Sequence, residues 1–256
     1  MIISYRHRFI FIHCRKTAGS SIAAALSRHL GPRDIQLSAI EETLSIGQRP
    51  PLRMLLGAMR FQRRDAPALA RAYLRRSDAE TLARACKRSF IARLGHVPQH
   101  ANADIVSRTF PAEWAQFSKF CVVRNPYDLA VSDYFWRTRD MAQPPDFETY
   151  LEALNAGDSL DGIVPVRIYY NWPRYTIAGK VVADRIVRFE NLVPELTEHL
   201  RSVGIPSRNA LPRFKSTQRQ IRSRDKRYQS IYSPRSKLLV EGLYAEELEY
   251  FRYVFD

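Results

Sequence analysis

Phe9-Ile10-Phe11-Ile12-His13-Cys14-Arg15-Lys16-Thr17-Ala18-Gly19-Ser20-Ser21-Ile22 passes from an unbroken apolar run through a small polar turn into helix formers. Phe9 to Ile12, apolar at every position, predicts a central strand covered on both faces. Ile22-Ala23-Ala24-Ala25-Leu26 predicts the helix that follows, ending near Leu30 at Gly31-Pro32. Between them Thr17, Gly19, Ser20 and Ser21 are small enough to bring backbone N–H groups close to a ligand, and Lys16 adds a positive charge. A turn that opens a helix suits an anion, because the first N–H groups lack intrahelical partners and the dipole is positive at that end. The same residues also suit an ordinary strand-to-helix turn with a solvated lysine. The nucleotide loop G-x-x-x-x-G-K-[ST] is not present: there is one glycine, and Lys16 precedes it.

A second unit of this kind lies about a hundred residues on. Phe120 to Val123 predicts another buried strand, Asn125 suits a helix N-cap and Pro126 the first helical position. Arg124 then falls at the carboxyl end of a strand, the edge at which open α/β sheets bind ligands. Ser132 lies two turns into the helix. An arginine fork and a hydroxyl can hold one phosphate; taken singly, Arg124 also reads as a structural ion pair and Ser132 as a mid-helix filler.

Together the two units carry a resemblance. Arg15-Lys16-Thr17-Ala18-Gly19-Ser20-Ser21 is similar to the 5′-phosphosulfate loop of sulfotransferases, P-K-T-A-G-[ST]-[ST], with Arg15 in place of proline. Arg124-Asn125-Pro126, with Ser132 six residues beyond the proline, resembles their 3′-phosphate motif R-[DN]-P-x-x-x-x-x-S. Asn125 replaces the commoner aspartate, and Leu129 a frequent basic residue. Val187-Arg188-Phe189-Glu190-Asn191-Leu192 resembles their R-F-E-N-L segment, and Arg213-Phe214-Lys215-Ser216-Thr217 a basic loop near the nucleotide. The aromatic C-terminus from Tyr232 to Tyr253 is also similar. The group resembled is that of the carbohydrate sulfotransferases, including the uronyl and heparan 2-O-sulfotransferases, in a soluble bacterial form. The likeness covers both ends and most of the core, and leaves out residues 47–90.

The resemblance implies an α/β, P-loop nucleotide-kinase-like three-layer fold: a mostly parallel sheet flanked by helices, one domain over residues 1–256. It implies in-line transfer of a sulfuryl group from 3′-phosphoadenylyl sulfate to a hydroxyl of a carbohydrate or glycolipid, with adenosine 3′,5′-bisphosphate as product and no metal. Arg15, Lys16, Thr17, Ala18, Gly19, Ser20, Ser21, Arg124, Ser132, Phe189 and Lys215 would bind the cofactor, with Phe189 against the adenine. Lys16 would stabilise the leaving oxygen. His96 is the candidate base: it follows Gly95 where Ile91 to Val97 is expected to return the chain to the sheet, and Gly-His resembles the catalytic segment of the uronyl enzymes. His100 is the runner-up, Glu190 is expected to be structural, and His13 is expected to face the sheet or support the loop.

A net charge of +14 and a pI near 10.0 point to an anionic partner. Much of that charge lies in residues 52–93, where Leu52, Leu55, Leu56, Met59, Leu69, Ala72, Leu82 and Ala85 recur at helical spacing among arginines. This predicts two or three amphipathic helices inserted at about 47–93, the last opened by a Ser77–Glu80 capping box. Such a face would draw an acidic acceptor, solubilise the chain or meet a membrane surface. Cys14, Cys86 and Cys121 form no metal pattern and suit a reducing, cytoplasmic setting. No run is long enough to span a bilayer, so peripheral contact is the only membrane contact expected. A nucleotide or sugar kinase would share the fold, but this chain lacks the Walker glycines and a clear Mg²⁺ carboxylate after a strand. A nucleic-acid-binding protein would explain the charge but not the two phosphate units, so no nucleic acid is expected.

Overall fold

The computed structural model describes residues 1–157, 170–206 and 228–256. In chain order the elements are β1 (Ile2–Ser4), β2 (Phe9–Ile12), α1 (Gly19–Leu26), β3 (Ile35–Gln36), α2 (Ile40–Ser45), α3 (Leu52–Phe61), α4 (Ala66–Arg75), α5 (Ala79–Leu94), α6 (Ala103–Thr109), α7 (Pro111–Gln116) and β4 (Ser118–Val123). They continue with α8 (Pro126–Arg137), α9 (Phe147–Ala156), α10 (Trp172–Tyr175), β5 (Thr176–Ile177), β6 (Lys180–Val181), β7 (Arg185–Arg188), α11 (Leu192–Ser202), α12 (Pro234–Leu243) and α13 (Ala245–Phe251). Among the described residues no helix is long and apolar enough to cross a membrane.

The chain forms two compact units. The first holds Met1–Cys14, Ala18–Val123 and the described residues from Pro173 to 206. Its sheet has the order β3-β1-β2-β4-β7. β2, β4 and β7 are parallel, with Ile12 opposite Cys121 and Cys121 opposite Ile186. β1 and β3 run antiparallel to their neighbours, so the sheet is mixed, and the expected parallel arrangement holds only for β2, β4 and β7. Every residue of β2 is buried, as its apolar run requires. Phe11 stacks on Phe120 with centroids 5.0 Å apart, and Ile22, Val187 and Leu196 belong to the same core. Each such side chain contributes about 1.5–3 kcal/mol by leaving water.

The regular structure between β3 and β4 is all helical. α3, α4 and α5 give the segment the helices that its spacing predicts, and they pack on one another. Two local expectations fail here. The N-cap of α5 is Asp78, whose carboxylate accepts from the Thr81 N–H, rather than Ser77. Ile91 to Val97 does not return to the sheet: α5 continues to Leu94, and Gly95 ends it with φ 85°. That left-handed φ is one that glycine adopts without a Cβ clash.

His199 on α11 lies 4.3 Å, centroid to centroid, from the Phe120 ring and is 5% exposed. Its Nε2 has no hydrogen-bond partner among the described residues. Burial, and then the nearby Arg185 charge, push its pKa down from 6.5 to about 4. The neutral ring is therefore favoured in the fold, and its stabilisation is complete above the unfolded value. It is lost as pH falls from about 6.5 towards 4, by on the order of 3 kcal/mol. His199→Leu should flatten the fall in urea-unfolding stability between pH 7 and 4; an unchanged slope would assign that fall to other groups.

The second unit holds Arg15–Thr17, the described residues of Arg124–Trp172, and 228–256. Its core joins Tyr127, Val131, Phe147, Tyr150, Leu151, Val240 and Tyr244 from α8, α9, α12 and the residue after it. On the inner side of α8, Arg137 pairs with Asp133 at 2.9 Å, and the Tyr150 hydroxyl donates to the same carboxylate. Asn125 caps α8 as predicted: its Oδ1 accepts from the Tyr127 N–H, while its Nδ2 donates to the Val254 carbonyl. Aspartate could make the first bond but not the second, which gives the amide at this position a structural reason.

Candidate functional site

The two candidate segments follow the carboxyl ends of neighbouring parallel strands, β2 and β4. After β2 the chain passes through Arg15, Lys16 and Thr17 and enters α1 at Gly19. Lys16 has φ 59° and Ala18 φ 61°, both left-handed, a conformation that costs a non-glycine residue about 1–3 kcal/mol. Such turns gather N–H groups into concavities that suit anions. Ala18 is the N-cap residue and carries no capping side chain, where Ser, Thr, Asp or Asn is usual. Ser20 is half-buried, while Thr17 and Ser21 are buried.

Two side chains from later in the sequence hold this turn within the second unit. Asn171 accepts from the Arg15 N–H at 2.8 Å and donates to the Arg15 carbonyl at 3.1 Å, pairing with the backbone as a strand neighbour would. Arg124 donates from Nη1 to the Lys16 carbonyl at 2.8 Å. Its Nε donates to Asp128 at 2.7 Å, and its Nη2 lies 2.6 Å from the same carboxylate oxygen. The Arg124 side chain is 10% exposed. Arg124 is thus an ion-pair partner and also the support of the lysine turn.

Asp128, Ser132 and Trp136 recur every fourth residue and share one face of α8. Three cations gather along this face. Arg124 meets Asp128, the Lys16 ammonium lies 4.7 Å from the Trp136 ring centroid, and the Arg139 guanidinium lies 3.9 Å from it. Lys16, Arg124 and Ser132, predicted to bind phosphates, therefore belong to one unit, and Lys16 and Arg124 are in direct contact. Trp136 and Asn171 are not legible as site residues in the sequence. The four-residue spacing from Ser132 to Trp136 is the only signal for the first, and nothing in the local sequence marks the second.

Gly19 is small for a different reason than close approach to a ligand. A Cβ on it would lie 1.9 Å from His13 Cδ2 and 2.0 Å from His13 Nε2. The imidazole of His13 covers the first residue of α1, and its Nδ1 pairs with Ser38 Oγ at 2.6 Å. The His13 and His100 rings lie 4.5 Å apart. His100 Nδ1 sits 2.8 Å from the His13 carbonyl, to which it must donate. In the neutral ring that bond places the lone pair on Nε2.

His96, expected at a strand end, stands instead in the bend after α5. It lines a cleft of about 420 Å³ with Glu41, Arg84, Lys87, Arg88 and Gln99 and is exposed. Of the two histidines, it is His100 that bonds to the His13 carbonyl. Phe189 packs against the core of the first unit, as does Ala18. Glu190 is exposed. Lys215, with the rest of the 213–217 loop, lies outside the described residues. Among the described residues no group of three or more His, Cys, Asp or Glu is placed to hold a metal ion. No family model, curated protein or solved structure matches the chain.

Proposed function

We propose that the chain is a nucleotide-dependent group transferase in which residues 15–21 with Arg124 and Ser132 take the phosphates of an adenine nucleotide. More narrowly, it is a sulfotransferase that uses 3′-phosphoadenylyl sulfate to sulfate a hydroxyl of a carbohydrate or glycolipid, on a P-loop nucleotide-kinase-like fold. One observation carries this reading: Arg124, on the second phosphate-type unit, bonds directly to the carbonyl of Lys16, on the first, across 108 residues of sequence. The donor set fits the cofactor's anions, since an ammonium, a guanidinium, four hydroxyls and the first N–H groups of α1 all donate.

When bound, the cofactor supplies an activated sulfuryl group on a phosphate leaving group. The chain's residues then divide the work. Lys16 and the N–H groups at the start of α1 stabilise the charge that develops on the leaving oxygen. Ser132 and Arg124 hold the 3′-phosphate, and Asp128 orients Arg124 for it. His100 replaces His96 as the base for the acceptor hydroxyl: its Nδ1–H is fixed on the His13 carbonyl, and Nε2 takes the proton. Phe189 and Lys215 remain the proposed contacts to the adenine and the nucleotide's outer side.

Calorimetric titration tests the nucleotide assignment. Adenosine 3′,5′-bisphosphate should bind more tightly than adenosine 5′-phosphate, ATP with Mg²⁺ or duplex DNA. Ser132→Ala should weaken the bisphosphate about tenfold or more, the effect of one hydrogen bond to a charged group, and leave the 5′-phosphate unchanged. Arg124→Ala should weaken both, the bisphosphate more, because it also releases the Lys16 carbonyl. Preference for ATP with Mg²⁺ would favour the kinase reading. Equal losses for both nucleotides in Ser132→Ala would remove Ser132 from the site.

A further inference from the structure

Eleven basic and three acidic residues lie between Leu52 and Leu94, so α3 to α5 and their turns carry eight of the chain's fourteen net positive charges. Arg49 and Arg53 are bound to backbone carbonyls, and Arg84 pairs with Glu80. Arg60, Arg63, Arg64, Arg71, Arg75 and Arg76 form no ion pair among the described residues, and all six are exposed.

Large apolar side chains stand among these arginines. Leu56 is 55% exposed, Phe61 62% and Leu74 66%, and Leu52 is also exposed. α3 turns Met54, Leu55 and Ala58 inward, and its outward half carries Leu52, Leu56, Arg60 and Phe61. α4 buries Leu69 and Ala72 and leaves Leu74 beside Arg71 and Arg75 on its outward stripe. A face that only kept the chain soluble would not expose more than half of the surface of two leucines and a phenylalanine.

We infer that the outward face of α3, the 63–65 turn and α4 adsorbs to an anionic lipid bilayer. The combination selects that partner. A soluble polyanion, whether polysaccharide or nucleic acid, would take up the arginines and leave Leu56, Phe61 and Leu74 in water. A bilayer interface offers anionic headgroups to the guanidinium groups and an acyl boundary about 5–10 Å deep to the apolar side chains. Arginine suits the arrangement because its methylenes follow the apolar residues inward while the charged head stays at the headgroups. The inference is independent of the nucleotide assignment.

Co-sedimentation with vesicles of phosphatidylcholine alone, or with phosphatidylserine added, tests it. The protein should bind only the anionic vesicles. R60S/R63S/R64S should weaken binding about a hundredfold, at about fivefold per arginine. L56S/F61S/L74S should weaken it tenfold or more and leave retention on soluble dextran sulfate unchanged. Phe61→Trp should add blue-shifted emission on anionic vesicles only. Equal binding to neutral vesicles, wild-type sedimentation of the apolar triple variant, or unshifted emission from the Phe61→Trp variant would each overturn the inference. These variants should bind adenosine 3′,5′-bisphosphate as wild type does, so failure of the nucleotide assignment would appear separately in that titration.

Discussion

Gly19→Ala is expected to destabilise the protein by about 3 kcal/mol or more, the upper range for forcing atoms into a packed interior. The added methyl would fall within 2.0 Å of two atoms of the His13 ring, so one of them must leave. His13 is 7% exposed and held by Ser38, and its carbonyl accepts from His100. Moving it breaks that network; moving α1 instead disturbs Ile22 and Ala23 in the core. The two positions should therefore couple. His13→Ala alone costs stability through its lost packing, but it clears the volume that the methyl of Gly19→Ala needs. The double variant should be more stable than the sum of the single losses implies, by about 1 kcal/mol or more. Urea unfolding of the four proteins reads this directly. A stable Gly19→Ala variant, or strict additivity, would show that His13 does not cover Gly19 in solution.

Under the proposed sulfotransferase function, His100→Ala should lower sulfuryl transfer about 100-fold or more, the typical contribution of a positioned base, with little change in affinity for adenosine 3′,5′-bisphosphate. His96→Ala should keep most of the wild-type rate, because its ring is exposed in a cleft beside Arg84 and Lys87, whereas the His100 ring is fixed on the His13 carbonyl. A loss in kcat without a matching change in nucleotide binding is the signature of a group that acts on the acceptor. If His96→Ala abolishes transfer while His100→Ala does not, the base is His96, and the bond from His100 to His13 is structural.

The difference between the two histidines shows what can be read from the chain and what cannot. Phe9 to Ile12 and Phe120 to Val123 are legible because every residue is apolar and only a covered strand accommodates such runs at that length. Asn125 and Pro126 are legible because capping is local chemistry. Ile91 to Val97 misleads because a short apolar run suits the end of a buried helix as well as a strand. Gly95, a usual helix terminator, is the local mark that separates the two. β1 and β3 are three and two residues long and show no periodicity; their pairing with the sheet defines them. At the site, residue types at fixed spacing indicate Lys16, Arg124 and Ser132. Asn171 and Trp136 act through contacts formed only when distant segments meet, and the cover over Gly19 comes from His13, six residues earlier across a turn.

The clamp of Asn171 on Arg15 also bears on the order in which the molecule is made. Residues 15–17 leave the ribosome early, yet Arg124 and Asn171 are translated long afterwards. Until both have emerged, the turn lacks either the bond to the Lys16 carbonyl or the pair of bonds to Arg15, so its left-handed backbone at Lys16 has fewer partners than in the finished protein. A polypeptide terminated prematurely before residue 171 would carry the residues of β1, β2 and β4 but lack both bonds of Asn171 to Arg15. Abortive translation products would then carry a turn that is braced on one side only.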